Sequence, residues 1–337
     1  GGGSKLTSLP PVDYAALLAG RAAPPPPDAS AFLGALSGAK REAIGRARET
    51  YAKAGGSLDP FSDVMMFRFL AVNGWNEKKA AAQLRRTAGW RRELGADAHR
   101  AAFINGMTLG EHSSFSTLLT LVCIIPAMGR TKMGDSMDYY SFGAMIGQRM
   151  INNFLEVLSD AEFFRAHVFM MEYQYQNLDR LTLERGNGDL VKTFTVFDLS
   201  GVTRAHANGK LLRRVQRWLP LLDLYYPEMT RTTCLLNAPG IFFSLYQMIK
   251  PFSSRRMRDS LQVLKPGKAT ATLHKHVDVE QLAGCYGGTI AQLPPETAAS
   301  LGLDRIEQPR QAGLYPGRQV RMGQIHLPEA QRRAVDE

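Results

Sequence analysis

Hydrophobic positions along this chain follow two rhythms, and the change between them divides it. From Phe32 to Ala54 an Ala-rich run dotted with Arg and Lys predicts a helix, stopped by Gly55-Gly56. After Pro60 a second start follows, with Asp63 expected as the N-cap of a helix over Val64 to Leu70. From Asn76 to Leu94, Ala80, Leu84, Thr87, Trp90 and Leu94 recur at steps of three and four, an amphipathic helix. Its Arg85, Arg86, Arg91 and Arg92 fall off the apolar stripe and read as a solvated face.

Beyond Tyr139 the vocabulary changes. Asp160 to Leu183 predicts a long apolar helix, and Glu184 to Asp189 a turn. Thr193 to Leu199 is β-branched and aromatic, as a buried strand requires, and Ser200-Gly201 ends it. Asn208 to Tyr225 returns to helical spacing, and Arg231 to Leu236 reads as another strand. Strand, helix and strand in this order imply a right-handed parallel crossover. Residues 1 to 30 carry Pro10-Pro11 and Pro24 to Pro27, which predict an extended arm. The region after Ile290 has weak periodicity and reads as a tail packed on this domain or on another chain.

The 337 residues are 45% hydrophobic and 21% charged, which allows a sizeable core and excludes disorder throughout. Lys and Arg number 41 against 31 Asp and Glu, a surplus of 10 that suits nucleic acid, an anionic membrane or an acidic partner. No recognised nucleic-acid motif and no aromatic-basic stripe accompanies it. Cys123, Cys234 and Cys285, odd in number and far apart, exclude a disulfide scaffold and point to a reducing compartment. The longest apolar candidate, Phe115 to Met128, is too short and too broken for a membrane span. The chain opens Gly1-Gly2-Gly3-Ser4 without Met, which reads as a linker scar or as a processed end.

Catalytic patterns fail one by one. In Gly134-Asp135-Ser136-Met137-Asp138 the closing Gly of a nucleophile elbow is replaced by Asp138, so a turn is expected. Gly209-Lys210 and Gly267-Lys268 lack the upstream Gly and the following hydroxyl of a phosphate loop. His274 and His276 have no zinc-type partners nearby and read as surface histidines. The expectation is a non-enzymatic protein without catalytic residue, metal or cofactor.

Four segments in fixed order carry more information: Phe67-Arg68-Phe69-Leu70 with Trp90-Arg91; Phe197-Asp198-Leu199-Ser200-Gly201; Tyr225-Tyr226-Pro227-Glu228 with Asn237-Ala238-Pro239; and Lys250-Pro251-Phe252 with Tyr286-Gly287-Gly288. Together they resemble the CRAL-TRIO lipid-binding family over about residues 60–290. The resemblance implies an α/β fold, a mixed sheet flooring an apolar lipid pocket with a gate helix, preceded by a small all-helical lobe. The domains expected are a Pro-rich arm at 1–30, the helical lobe at 31–105, the lipid-binding domain at 106–290 and a tail at 291–337.

At about 0.8 kcal/mol per CH₂, holding a two-chain lipid in water would cost on the order of 20 kcal/mol, so a carrier needs an apolar wall. Phe154, Leu155, Phe163, Phe164, Phe169, Met170, Met171, Phe194, Phe197, Leu235 and Leu236 are the candidates, with core filling as the alternative. Ile241 to Phe252, apolar almost all round, must be buried or touch lipid. The resemblance makes it the gate, through Phe242, Phe243, Leu245, Tyr246, Met248 and Ile249.

Thr193 and Thr195 share a strand face, and the resemblance places them where relatives hold a phosphatidylcholine phosphate. Tyr139 and Tyr140 fall where relatives face the choline, and Phe197, Glu228 and Lys250 complete the implied lipid contacts. Ala71-Val72-Asn73-Gly74 departs from the phosphoinositide pattern, which has a basic cluster there. Arg255, Arg256 and Arg258, with Lys265 and Lys268, follow the gate and suit an anionic membrane surface. The sequence thus predicts a peripheral cytoplasmic protein, organellar if its N-terminus is processed, that binds or transfers a lipid. The alternative is the same fold serving as a subunit of a larger assembly through its arm and tail.

Overall fold

The computed structural model describes residues 27–109, 123–141, 159–265 and 267–290, with Tyr14, residues 18–20, Pro25 and Leu155. For residues 123–128, 141 and 285 only the backbone is described. Most of the expected arm, the expected tail, Phe154 and most of the Phe115 to Met128 run lie outside the described residues.

The elements in order are α1 (Ser30–Gly34), α2 (Gly38–Lys53), α3 (Ser62–Val72), α4 (Glu77–Leu94), α5 (Ala96–Ile104), β1 (Cys123–Arg130), β2 (Ser136–Ser141), α6 (Asp160–Arg185), β3 (Thr193–Asp198), α7 (Gly209–Tyr225), β4 (Thr230–Leu236), α8 (Gly240–Ile249), α9 (Arg255–Asp259), β5 (Leu261–Val263) and α10 (Ala269–His276). The described residues form two compact units. One draws on Gly1–Met107, His167–Lys192 and Leu221–Met229; the other on Thr108–Ala166, Thr193–Pro220 and Thr230–Glu337.

The helical unit differs from expectation in instructive ways. The run from Phe32 to Ala54 is two helices, because the Ser37 hydroxyl accepts the Lys40 amide and starts α2 afresh. Asp63 does not cap α3. It lies in the first turn and pairs with Arg48 at 2.6 Å, while Asp59 accepts the Phe61 amide. Asn76 caps α4 through the Lys79 amide, and Gly95 ends it in the left-handed conformation that a side chain disfavours.

Arg91 was expected in solvent and is instead buried. Its guanidinium meets both oxygens of Glu172, at 2.7 and 3.0 Å, and donates to Asp97 at 2.6 Å. The period marked the apolar stripe correctly but could not show that the long α6 would bring a carboxylate to the stripe's margin.

α3 is buried from Ser62 to Leu70 on nearly every side, so its Arg68 has no route to water. Arg68 and Asp179 are both 0% exposed and paired at 2.7 Å. Arg68 also donates to the Glu228 and Val191 carbonyls, at 2.7 and 3.1 Å. Arg100 reaches the other Asp179 oxygen at 2.9 Å and also Asp59. The Tyr226 hydroxyl donates to Glu172 at 2.7 Å, and burial pushes that phenol's pKa up, keeping it a donor.

In the sheet unit the strands run β1-β2-β3-β4-β5, with β1 antiparallel to β2 and the rest parallel. The expected parallel pairing of the Thr193 and Arg231 strands is present, β3 against β4 with α7 between. The mixed α/β class and helical lobe are therefore as anticipated. Gly134 turns the β1–β2 connection at φ 77°, the turn expected in place of an elbow.

Two outcomes follow for the helical unit. Arg68→Met takes the donor from one oxygen of the buried Asp179 and from two carbonyls, leaving Arg100 as that carboxylate's remaining ion pair, and is expected to destabilise by about 3–5 kcal/mol in urea unfolding. Burial raises the Asp59 pKa, but the Arg100 charge and hydrogen bond outweigh it, so the net shift is downward. A carboxyl depressed on folding stabilises above its unfolded pKa of about 3.9, and that stability is lost as pH falls through the lower folded value. Asp59→Asn should accordingly flatten the acid limb of stability against pH below about 4 in denaturation series.

Candidate functional site

β-strand alternation sorts the candidate residues onto two faces of one sheet. On β3, Thr193, Thr195 and Phe197 share a face, and their partners across the ladder on β2 are Ser136, Asp138 and Tyr140. Thr233 and Leu235 of β4 continue it, opposite Thr195 and Phe197. Tyr140 lies parallel to Phe197 with ring centroids 5.5 Å apart. α8 sits on this side: Leu245 packs with Leu199, Val202 and Leu235, and Phe197, Ile241, Phe242 and Leu261 close around that cluster.

The neighbouring residue of the expected tyrosine pair goes the other way. Tyr139 is fully buried on the opposite face, stacked 5.5 Å from Tyr286, and its hydroxyl accepts the Ala283 amide. Adjacent strand residues cannot serve one ligand face, so of the pair only Tyr140 remains a candidate. Phe194 and Leu236 share Tyr139's side, Phe194 against His276 at 5.3 Å. Phe169, Met170 and Met171 belong to the helical unit, where Phe169 packs 4.6 Å from Phe103. Of the expected apolar wall, Phe197 and Leu235 lie on the candidate face. Phe163 and Phe164 pack with each other, and Phe164 with Trp218 of α7.

Glu228 makes bonds that serve the fold. It belongs to the helical unit, in the left-handed conformation at φ 59°, paired with Lys192 while its carbonyl accepts from Arg68. A left-handed non-glycine residue costs about 1–2 kcal/mol, and these two bonds hold it there. Lys250, by contrast, is exposed where α8 ends.

α8 is two-sided. Leu245 is buried and Ile241, Phe242, Tyr246 and Ile249 half-buried, while Phe243 is 51% and Met248 43% exposed. Phe252, just beyond, is 41% exposed. Gln216 of α7 donates to the Met248 carbonyl at 3.0 Å, tying down the helix's last turn. Of the expected basic group, Arg255 is exposed and lies 3.5 Å from Asp259, Arg256 is exposed, and Arg258 is half-buried with its guanidinium on the Ser253 carbonyl. Arg258 therefore holds the turn after α8, and Lys250, Arg255 and Arg256 remain outward.

Asp198 was read only as part of a motif, yet it organises this end of the sheet. One carboxylate oxygen accepts the Ser200 amide at 2.8 Å, the Ser200 hydroxyl at 2.6 Å and the Asn237 amide at 3.0 Å; the other accepts the Tyr286 hydroxyl at 3.1 Å. Three of the quoted segments thus meet at one buried side chain immediately before α8. Among the described residues no group of three His, Cys, Asp or Glu side chains is set to hold a metal, and no helix is long and apolar enough to cross a membrane.

A mixed sheet with a helical lobe, and these segments bonded to one another, define a CRAL/TRIO domain, whose family model matches residues 125–288. Residues 125–288 of this chain are thus similar to the CRAL/TRIO domain family. Patellin-3 of Arabidopsis thaliana is 25% identical over 232 residues, 68% of this chain and 43% of its own length. The phosphatidylinositol transfer protein sfh5 of Emericella nidulans is 22% identical over 250 residues, 72% of this chain and 58% of its own. The chain therefore spans less than half of Patellin-3. The crystal structure of Sfh5 shares the fold with a TM-score of 0.51 at 17% identity, covering 73% of this chain and 84% of that one.

Removing the Asp198 carboxylate orphans four donors, whereas removing the Tyr286 hydroxyl removes one bond. At about 1 kcal/mol per bond, Asp198→Ala should lower unfolding free energy by about 3 kcal/mol or more and Tyr286→Phe by about 1, measured by denaturant titration.

Proposed function

We propose that this chain is a non-enzymatic lipid-binding and lipid-transfer protein. It holds one hydrophobic ligand against the sheet face of Thr193, Thr195, Tyr140 and Phe197, with α8 as the gate. The observation that carries this reading is the two-sidedness of α8. Its inner side packs on Phe197 and Leu235. Its outer side, with Phe252 beyond it, offers Phe243 and Met248 to the surroundings at a cost in water that a bilayer would relieve.

Lys250, Arg255 and Arg256 flank these apolar side chains and suit an anionic surface, each worth about 1 kcal/mol near it. The family and its phosphatidylinositol-transferring relative support the same reading. The ligand moves when α8 swings from the sheet and its outer side enters the bilayer, making the protein a peripheral membrane carrier.

The test uses the full chain with liposomes. A lipid should co-purify and be identified by mass spectrometry, and vesicle-to-vesicle transfer should be measurable. Phe243→Ser combined with Met248→Ser and Phe252→Ser should cut liposome binding and transfer tenfold or more with little change in melting temperature, since all three are exposed. Absence of both bound lipid and transfer in the wild type would sink the proposal.

A further inference from the structure

In the helical unit, α4 carries on its outer face a charge pattern that the fold uses only in part. Lys78, Lys79, Arg85, Arg86 and Arg92 are all exposed. Arg92 donates to the Ala54 carbonyl at 2.6 Å and Arg86 bonds the Tyr225 hydroxyl, while Lys78, Lys79 and Arg85 enter no ion pair among the described residues. Of the helix's two glutamates, Glu77 is paired with Arg46 at 2.8 Å and Glu93 is exposed.

This surplus is ordered. Lys78, Arg85 and Arg92 follow one another at steps of two turns, so they repeat about every 10.5 Å along one stripe. Ala82 and Gly89 fall between them on that stripe. Gly89 carries the argument furthest. Glycine inside a helix is less favourable than alanine, and neither a left-handed backbone nor a close neighbour requires it here, since an added Cβ would meet nothing within 4 Å. The chain's own packing gives no reason for the missing side chain. A backbone lying close over it from outside does.

The chemistry of the face sorts its partners. A helix that lies on a bilayer sets large apolar side chains beside its basic ones, and the large exposed apolar residues of this chain lie elsewhere. Single-stranded nucleic acid is held by bases stacking on free aromatic rings, whereas Trp90 already stacks on Tyr225 with centroids 4.1 Å apart. A second copy would bring its own formal charge of +10. Another helix fits on both counts. Carboxylates repeated every seventh residue recur at the same spacing of about 10.5 Å, and small residues at the contact let two helices approach to the short end of the usual range of about 8–10 Å.

We propose that this face of α4 docks an acidic helical segment of another protein, with carboxylates on Lys78, Arg85 and Arg92 and its backbone over Ala82 and Gly89. The proposal goes beyond the lipid-binding reading and does not depend on it.

The probe is a fluorescent, stapled alanine-rich helix whose glutamates form one stripe at steps of three and four. Its control has the same composition with the glutamates spread round the helix. Both are titrated with the full chain at about 0.15 M salt. The wild type is expected to bind the striped helix at least tenfold more tightly than the control. Arg85→Glu and Gly89→Leu should each weaken that binding tenfold or more, the latter with an unchanged or higher melting temperature. Lys275→Glu, the same charge reversal on exposed α10, should change it less than threefold. Equal affinity for the two peptides, or a Gly89→Leu protein that melts normally and binds as the wild type does, overturns the inference. So does a face that ignores both peptides but binds phosphatidylserine liposomes or duplex RNA in a manner lost on Arg85→Glu. None of these outcomes bears on lipid uptake, so the lipid-binding reading stands or falls separately.

Discussion

The helical unit depends on burying three guanidinium groups without leaving them unpaired. Arg68, Arg91 and Arg100 sit among Asp59, Asp97, Glu172 and Asp179, and the planar fork of each arginine matches a carboxylate or carbonyl pair. Taking such charges from water is expensive, and mutual attraction offsets the loss only where geometry is good and further hydrogen bonds complete each group. That requirement joins segments far apart in the chain. Arg68 of α3 reaches Asp179, the Val191 carbonyl and the Glu228 carbonyl; Glu172 collects Arg91 and Tyr226. Apolar packing alone would tolerate a shift of these pieces, whereas a displaced arginine here would leave a bare buried charge.

In the sheet unit the ordering principle is alternation. A strand sends successive side chains to opposite faces, so β2 and β3 each give one set of residues to the side of α8 and another to the side of Tyr286 and His276. The two sets have different chemistry. Met137, Tyr139, Phe194 and Val196 are core, whereas the α8 side mixes hydroxyls, a carboxylate and an aromatic pair. Asp198, last in β3, then fixes the chain leaving the sheet by holding Ser200, Asn237 and Tyr286, and α8 begins three residues after Asn237. That hub lies just before α8, and Gln216 bonds the carbonyl of Met248 in its last turn.

Much of this was legible beforehand, and the reason is local. The strand at Thr193, the helix over Asn208 to Tyr225 and the helix that ends at Gly95 are encoded in periods and caps that need no distant partner. The segments that carried the family resemblance were also found correctly, though their meaning changed. Arg68, Arg91, Asp198, Tyr226 and Tyr286 hold the fold through hydrogen bonds, and Glu228 serves it through its carbonyl and its pairing with Lys192.

By itself, then, the amino-acid sequence determined the helical lobe and the parallel pairing of two strands, because these follow from spacing along the chain, while the resemblance of its ordered segments pointed to the family. The tertiary structure alone decided which chemistry faces the same way. It buried Arg91, which spacing had put in solvent, because Glu172 arrives from 81 positions away. It separated Tyr139 from Tyr140, because the sheet has two sides. It set Asp138 beside Thr195, because register between strands is a long-range property that no local pattern contains.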